Sequence, residues 1–379
     1  MIRIIDPIRD PQWDRILASL PDHSFFLGSY WARVLNESYS FKPLYFMDDR
    51  ANALSSGQQD ESFYSGNREG SESPAPCIIP IMEIDSFLTG KRGVSLPFTD
   101  YCDPLVTDKN SFSILLDHVL KYGKEAGWKY LELRGGSRFF NGMVQLHSPC
   151  GGVPGRTKNA TADQSWTSGA VPHKTYFRHT LRIHGTEEEQ FRRIKHTARR
   201  NIRTALKAGI RIAISDLESD LSEYYRLHCL TRKRHGVPPQ PWSFFKSIHR
   251  HVISSGNGFV VLGRHQGRAI AGAVFFHSKR RGIYKFGASD MQFQHLRANN
   301  LVMWEAIRWF IIKGFEELCF GRTDQDNAGL VRFKRGWGTH EEVLQYFRYD
   351  LGRSVFEKNG PRMEANAVFK CMPIPLLRL

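Results

Sequence analysis

The sequence predicts an α/β protein of two tandem domains, each a mixed, largely antiparallel sheet flanked by helices. Three observations lead there. A chain of 379 residues has room for two domains at roughly 150 residues each. A helix–glycine–aromatic–strand pattern occurs once in each half. The second half also orders its segments as helices, an antiparallel meander, then helix, strand, helix, strand.

In the first half Ser111–Ala126 reads as a helix, followed by Gly127-Trp128 and a strand through Leu131 and Leu133 to Arg134-Gly135. In the second, Asn299–Lys313 is followed by Gly314-Phe315 and a strand through Leu318 and Phe320 to Gly321-Arg322. In both, a glycine just past the helix feeds a strand whose alternate residues face a core. Matching places in the two halves point to duplication of one domain. The expected domains are 1–175 and 176–379. Ser-, Gly- and Asn-rich stretches at about 50–76 and 135–172 read as loop insertions in the first.

The second half is the more legible. Thr186 followed by Glu189 is a capping box. It opens a helix with an apolar seam at Phe191, Ile194, Ala198, Ile202 and Ala205, which stops at Gly209. A strand at 210–214, a helix near 217–235, the breaker Pro238-Pro239 and a helix near 241–254 follow. Strands at about 258–264, 268–277 and 282–288 form a meander, turning first at His265-Gln266-Gly267. Helix 299–313, strand 317–320, a short helix at 328–335 and strand 342–349 complete the domain. That order is the order of an acetyltransferase-like (GNAT) domain.

The composition narrows the function. The apolar content of 41% supports sizeable cores. No apolar run approaches the roughly 20 residues of a membrane-spanning helix. The start, MIRIIDPIRD, has no apolar leader segment, so a cytoplasmic protein is expected. Cysteines 77, 102, 150, 229, 319 and 371 include no C-x-x-C pair, so reduced thiols are expected rather than a zinc ribbon or disulfide framework. The histidines lack ligand spacing, and no metal is expected. A formal charge of +15 favours polyanionic partners.

Much of that charge lies in FRRIKHTARRNIRTALKAGIRI. At helical periodicity Arg192, Lys195, Arg199 and Arg203 form one stripe. Guanidinium groups so arranged can grip phosphates, although a solvated face with no ligand has the same pattern.

RRNIRTALKAGIRI, YKFGASD (284–290), RANNLVMWEAIRW (297–309), GFEELCFGRT (314–323) and GLVRFKRGWG (329–338) together resemble the Fem-type aminoacyltransferases and their FemAB-like relatives. HSFFLGSYWARVL, IIPIMEI and VSLPFTDYCDPL resemble the first domain of that family more loosely. The resemblance implies two GNAT-like domains, no tightly bound cofactor, and transfer of an aminoacyl group from aminoacyl-tRNA to an amine of a peptidoglycan precursor. The wider family is also associated with surface-polymer production. No heptad run marks the helical arm of some Fem enzymes. RANNL stands where ordinary acetyltransferases carry a Gly-rich pyrophosphate motif, which speaks against acyl-CoA as donor.

Acyl transfer to an amine requires a group that stabilises the tetrahedral oxyanion. By resemblance to the family's F-K-x-G pattern Lys334 takes that role, at the mouth of a cleft. Phe333 and Trp337 are expected to form its dry wall, and Gly336 and Gly338 to permit close approach. Tyr284 resembles a substrate-contacting tyrosine. Arg232 or Arg234 stands where the family contacts a nucleotide diphosphate, and Arg33 is a parallel phosphate candidate from the first domain. Asp290, Asp324 and Asp326 are the carboxylates able to accept a proton; two of them lie in a loop where Asp is also an ordinary turn residue.

The expected function is acyl or aminoacyl transfer to an amine of a cell-envelope precursor. The expected partners are an anionic nucleotide- or lipid-linked precursor and tRNA. The apolar, basic tail FKCMPIPLLRL could lie on the inner membrane face, or pack on a domain. Two alternatives stand beside this reading: acyl-CoA-dependent acylation of an amino sugar, and non-catalytic polyanion binding in an envelope-polymer pathway.

Overall fold

The computed structural model describes residues 1–20, 23–48, 76–87, 89–140 and 170–358. The insertion expected at about 50–76, most of that at 135–172, and the tail segment 369–379 lie outside the described residues. The chain divides into two compact units. One holds Met1–Gly28, Phe41–Thr175 and the segment from Gln345; the other holds Ser29–Ser40 and Tyr176–Leu344.

In chain order the elements up to the second unit are β1 (Ile2–Ile5), α1 (Trp13–Ser19), α2 (Ser29–Tyr39), β2 (Lys42–Asp48), β3 (Cys77–Ile84), β4 (Arg92–Val94), α3 (Lys109–Glu125), β5 (Tyr130–Leu133) and α4 (Ser137–Phe140). Then come β6 (Lys174–Arg182), α5 (Glu187–Arg193), α6 (His196–Lys207), β7 (Arg211–Ser215), α7 (Glu218–Arg234), α8 (Trp242–Ile248), β8 (Gly258–His265), β9 (Arg268–Ser278) and β10 (Arg281–Ser289). The chain continues with α9 (Ala298–Ile312), β11 (Glu317–Asp324), α10 (Ala328–Arg335), β12 (His340–Asp350) and β13 (Val355–Phe356).

The sheet of the first unit runs β1-β2-β3-β4-β5-β12 and is antiparallel except at β4 and β5. Every residue of β3 is buried. Phe112, Leu115, Leu116 and Val119 of α3 share the core with Leu131, Leu133 and Phe347. The sheet of the second unit runs β7-β8-β9-β10-β11-β6 and is antiparallel except at β10 and β11. The two sheets therefore share strand order and the position of their one parallel pair. In each, a helix bridges that pair: α3 joins β4 to β5, and α9 joins β10 to β11.

The two bridging helices also end alike. Past α3, Gly127 has φ +75°; its N–H reaches the Lys124 carbonyl and that of Trp128 reaches Gly123. Past α9, Gly314 has φ +72°, with its N–H on Ile311 and that of Phe315 on Phe310. A left-handed glycine lets two orphan carbonyls of the last turn be satisfied before the strand begins.

Three expectations are corrected. The helix expected from the capping box to Gly209 is two helices. Ile194 and Lys195 adopt extended ψ values of 138° and 145°, and the Lys195 N–H donates to the Gly336 carbonyl at 2.9 Å, a tertiary bond that competes with the helical one. The stripe of Arg192, Lys195, Arg199 and Arg203 is therefore not continuous.

The strand expected to complete the second domain also pairs, through Phe347–Asp350, with β5 of the first sheet. There the Phe347 ring lies 4.2 Å from that of Phe140, tilted by 34°. Helix α2, with Trp31 and Arg33, belongs to the second unit: Trp31 meets Phe244 and Phe276, and Glu37 accepts from Ser247 at 2.9 Å.

Candidate active site

The stretch Asn327–Thr339 makes a short amphipathic helix and a tight exit. The Asn327 side chain caps α10 by accepting from the Leu330 N–H at 3.1 Å. At 100° per residue, Arg332, Phe333 and Gly336 share one face while Val331 and Lys334 point toward the sheet; Val331 and Lys334 are the buried residues of the helix.

Lys334 is only 2% exposed, and its Nζ donates to the carbonyls of Gly321 and Arg322, each at 3.0 Å. It is thus not at the mouth of an open cleft as expected. Trp337 is fully buried in the core rather than forming a wall. Gly338 has φ +77°, and the Gly336 carbonyl receives Lys195, so the close approach that these glycines permit is one of backbone to backbone.

The carbonyls that hold Lys334 are available because the sheet opens there. Parallel pairing of β10 and β11 covers only Arg281–Ile283 against Glu317–Cys319. Beyond it, β10 follows β9 through an irregularity between Tyr284 and Phe286. β11 follows β6 through another between Cys319 and Arg322. Carbonyls released from the ladder require other donors, and the lysine supplies them.

Tyr284 stands on the other strand of the opening, its ring 6.0 Å from that of Phe320. Burial pushes its hydroxyl up to about 12, so it stays a neutral donor. Tyr224 of α7 interacts electrostatically with Tyr284; it is fully buried, and burial raises its hydroxyl as well. That hydroxyl has no hydrogen-bond partner among the described residues.

Arg232 lies close enough to influence Tyr224 and Tyr39, and its own proton affinity is lowered by burial. Its Nε and Nη2 both donate to the Pro238 carbonyl, at 3.1 and 3.0 Å. Arg234 is exposed and meets His235 at 3.2 Å. Tyr284, Tyr224 and Arg232 thus form a chain of electrostatic neighbours across β10 and α7.

A cavity of about 530 Å³ lies against the first turn of α9. Arg297, Asn299 and Asn300 line it, with Thr197 and Asn201 from α6 and Arg332 and Phe333 from α10. Arg297 has a left-handed φ of +60°, and no side chain caps α9. Helix N–H groups pointing into a cavity favour an anion.

Asp290 also lines the cavity, but both its oxygens are engaged. Oδ2 accepts from Arg268 at 2.9 Å and Oδ1 from the Gln292 N–H at 3.1 Å. Asp324 and Asp326 are exposed and do not line the cavity. Arg199 is half-buried and Arg203 lies over Phe191 at 5.9 Å; neither lines it.

Arg33 sits half-buried on α2. Among the described residues no group of three His, Cys, Asp or Glu could hold a metal ion. Sequence reasoning missed Tyr224, Asn300 and His179. For His179 a signal existed: alternation in YFRHTLR puts it on the face of Leu181, an apolar face.

Residues 192–335 match the acetyltransferase (GNAT) domain family. The fold as a whole is that of tandem GNAT proteins. A tandem GNAT protein from the clavulanic acid biosynthesis pathway superposes with TM-score 0.50 at 8% identity, over 96% of this chain and 99% of that one. FemX superposes with TM-score 0.63 at 14% identity, over 93% of this chain and 98% of that one.

In sequence, the chain is 29% identical over 108 residues to a lipid II:glycine glycyltransferase of Staphylococcus epidermidis, covering 26% of each chain. It is 27% identical over 105 residues to that of Staphylococcus haemolyticus, covering 26% of this chain and 25% of that one. The match spans about a quarter of the length of these relatives. Residues 192–335 are thus similar to GNAT domains, and the fold is similar to that of FemX.

Proposed function

We propose that the protein transfers an acyl or aminoacyl group to an amine of a cell-envelope precursor. The observation that carries this reading is the opening between β10 and β11, with Lys334 of α10 hydrogen-bonded to carbonyls of β11 and Tyr284 on β10. A cation and a neutral phenol, both largely withdrawn from water, are the donors that a developing oxyanion requires, and low local dielectric strengthens both. Similarity to the lipid II:glycine glycyltransferases supports a peptidoglycan-type acceptor.

The donor arrives with a phosphate. The cavity at the α9 N-terminus, with Arg297 and Arg332 on its wall, suits the phosphodiester end of an aminoacyl-tRNA or the pyrophosphate of acyl-CoA. Arg232 has no carboxylate partner among the described residues and suits the diphosphate of the precursor. The attacking amine gives its proton to solvent or substrate. A surface-polysaccharide acceptor, a cytoplasmic site of action and contact with the inner membrane face are parts of the same proposal. Among the described residues no helix is long and apolar enough to cross a membrane.

The test offers the purified protein a lipid-linked muropeptide with a free side-chain amine and, separately, labelled aminoacyl-tRNA or acetyl-CoA. Label in the acceptor, lost with Lys334→Met, supports the reading and names the donor. Label from neither, with tRNA binding that ignores the aminoacyl group and collapses with salt, would replace it with polyanion binding.

A further inference from the structure

His179 lies on β6 with no exposed surface. Strand alternation puts it on the face of Leu181, which pairs with Leu318 of β11 in the core. A titratable ring at such a place is costly unless it is needed. Its surroundings are built from both ends of one turn. Lys334 on α10 is near enough to act on it electrostatically. The Nε2 atom lies 2.9 Å from Glu341 Oε2 at the start of β12, at an oblique angle that leaves both ring nitrogens short of a well-formed hydrogen bond.

Glu341 is in turn clamped by Arg335, which donates from Nε at 2.7 Å and from Nη2 at 2.6 Å. Arg335 follows Lys334 directly, and the Lys334 carbonyl accepts from the Thr339 hydroxyl at 3.1 Å. The other charged group nearby on β6, Arg178, pairs with Glu317 and Glu342 and alternates to the opposite face.

We propose that His179 is a positioning residue for Lys334: its ring forms the floor beneath the lysine and, through Glu341 and Arg335, fixes the end of the helix that carries it. This rests on the reading of Lys334 as the transfer lysine. Burial and then the lysine's charge hold the imidazole below its usual range, so it is neutral at physiological pH and adds no second cation. As pH falls, protonation places an imidazolium beside the lysine and disfavours its seat on the Gly321 and Arg322 carbonyls.

The test combines NMR titration of the His179 ring with the pH profile of transfer. In the wild type the ring titrates below the ordinary value of about 6.5, and Lys334→Met moves it upward. His179→Leu lowers kcat by about tenfold or more with KM little changed, since a small misplacement of a reacting group is costly. His179→Gln, which keeps an N–H for Glu341, recovers most of that loss and flattens the acid limb.

An ordinary titration that ignores Lys334→Met overturns the proposal, and so does a folded His179→Leu with wild-type kcat and pH profile. If His179→Leu fails to fold, the wild-type titration and the His179→Gln profile still decide. If Lys334→Met itself leaves transfer intact, the transfer role of Lys334 falls and the positioning role with it. Loss of transfer in Lys334→Met with normal turnover and profile in both His179 variants overturns the positioning role alone.

Discussion

Lys334 Nζ donates to the Gly321 carbonyl 3.0 Å away, within the segment where β11 loses its regular pairing to β6 and has parted from β10. The lysine is held there by main-chain carbonyls. Lys334→Met is expected to lower kcat by about 10²- to 10³-fold, the usual loss for one oxyanion donor. It should also cost about 1–3 kcal/mol of stability for the carbonyls left unpaired. Transfer assays and urea unfolding of the same preparation separate the two effects; a wild-type kcat in the folded variant would remove Lys334 from the mechanism.

The phenol of Tyr284 is expected to ionise only near pH 12. Its raised value favours the neutral form in the folded state. The corresponding stability is full below the unfolded value of about 10 and is lost as pH rises from there toward 12. Ultraviolet difference titration of wild type against Tyr284→Phe should show one high-pH phenol missing from the variant. Gly287 offers an independent route: a Cβ added there meets the Tyr284 hydroxyl at 1.7 Å. Gly287→Ala should displace the ring and bring its titration back toward 10, and an unshifted titration would count against this geometry.

Glu132 in the first unit accepts from Arg134 Nε at 3.0 Å and Arg348 Nη2 at 2.8 Å. Despite burial, which acts the other way, the two guanidinium groups bring its carboxyl down to about 2. The stability this confers is present above the unfolded value of about 4.3 and is lost as pH falls through 2. Glu132→Gln is expected to cost about 1–3 kcal/mol at neutral pH by leaving partly buried guanidinium groups underpaired, and to flatten the acid limb of stability against pH. Denaturant melts at a series of pH values read both effects.

Asn300 is 8% exposed and lines the cavity at the first turn of α9. Asn300→Asp puts a negative charge where a donor phosphate is expected, so it should raise the KM for donor by about tenfold with little change in kcat. Arg297→Ala should weaken donor binding and reduce its salt dependence, because one fewer phosphate contact releases fewer counterions. Donor affinity measured at two salt concentrations tests both; indifference to both substitutions would place the donor elsewhere.

Sequence by itself determined the local grammar of this protein. Helix and strand periodicities, the Thr186–Glu189 capping box, and the glycines after α3 and α9 depend on contacts within a few residues. They placed the meander, the bridging helices and the short helix carrying Lys334, and the motifs around them carried the family resemblance.

Tertiary structure decided what depends on residues far apart. Lys195 breaks a helix because its N–H finds Gly336. Phe347 joins the first sheet because β5 and Phe140 receive it. Lys334 turns inward because carbonyls of β11, freed by a local irregularity, accept hydrogen bonds from its ammonium group. Glu132 and Arg348 are 216 residues apart in sequence. Each outcome is a competition between a local preference and a distant partner, and the partner is known only once the chain has folded.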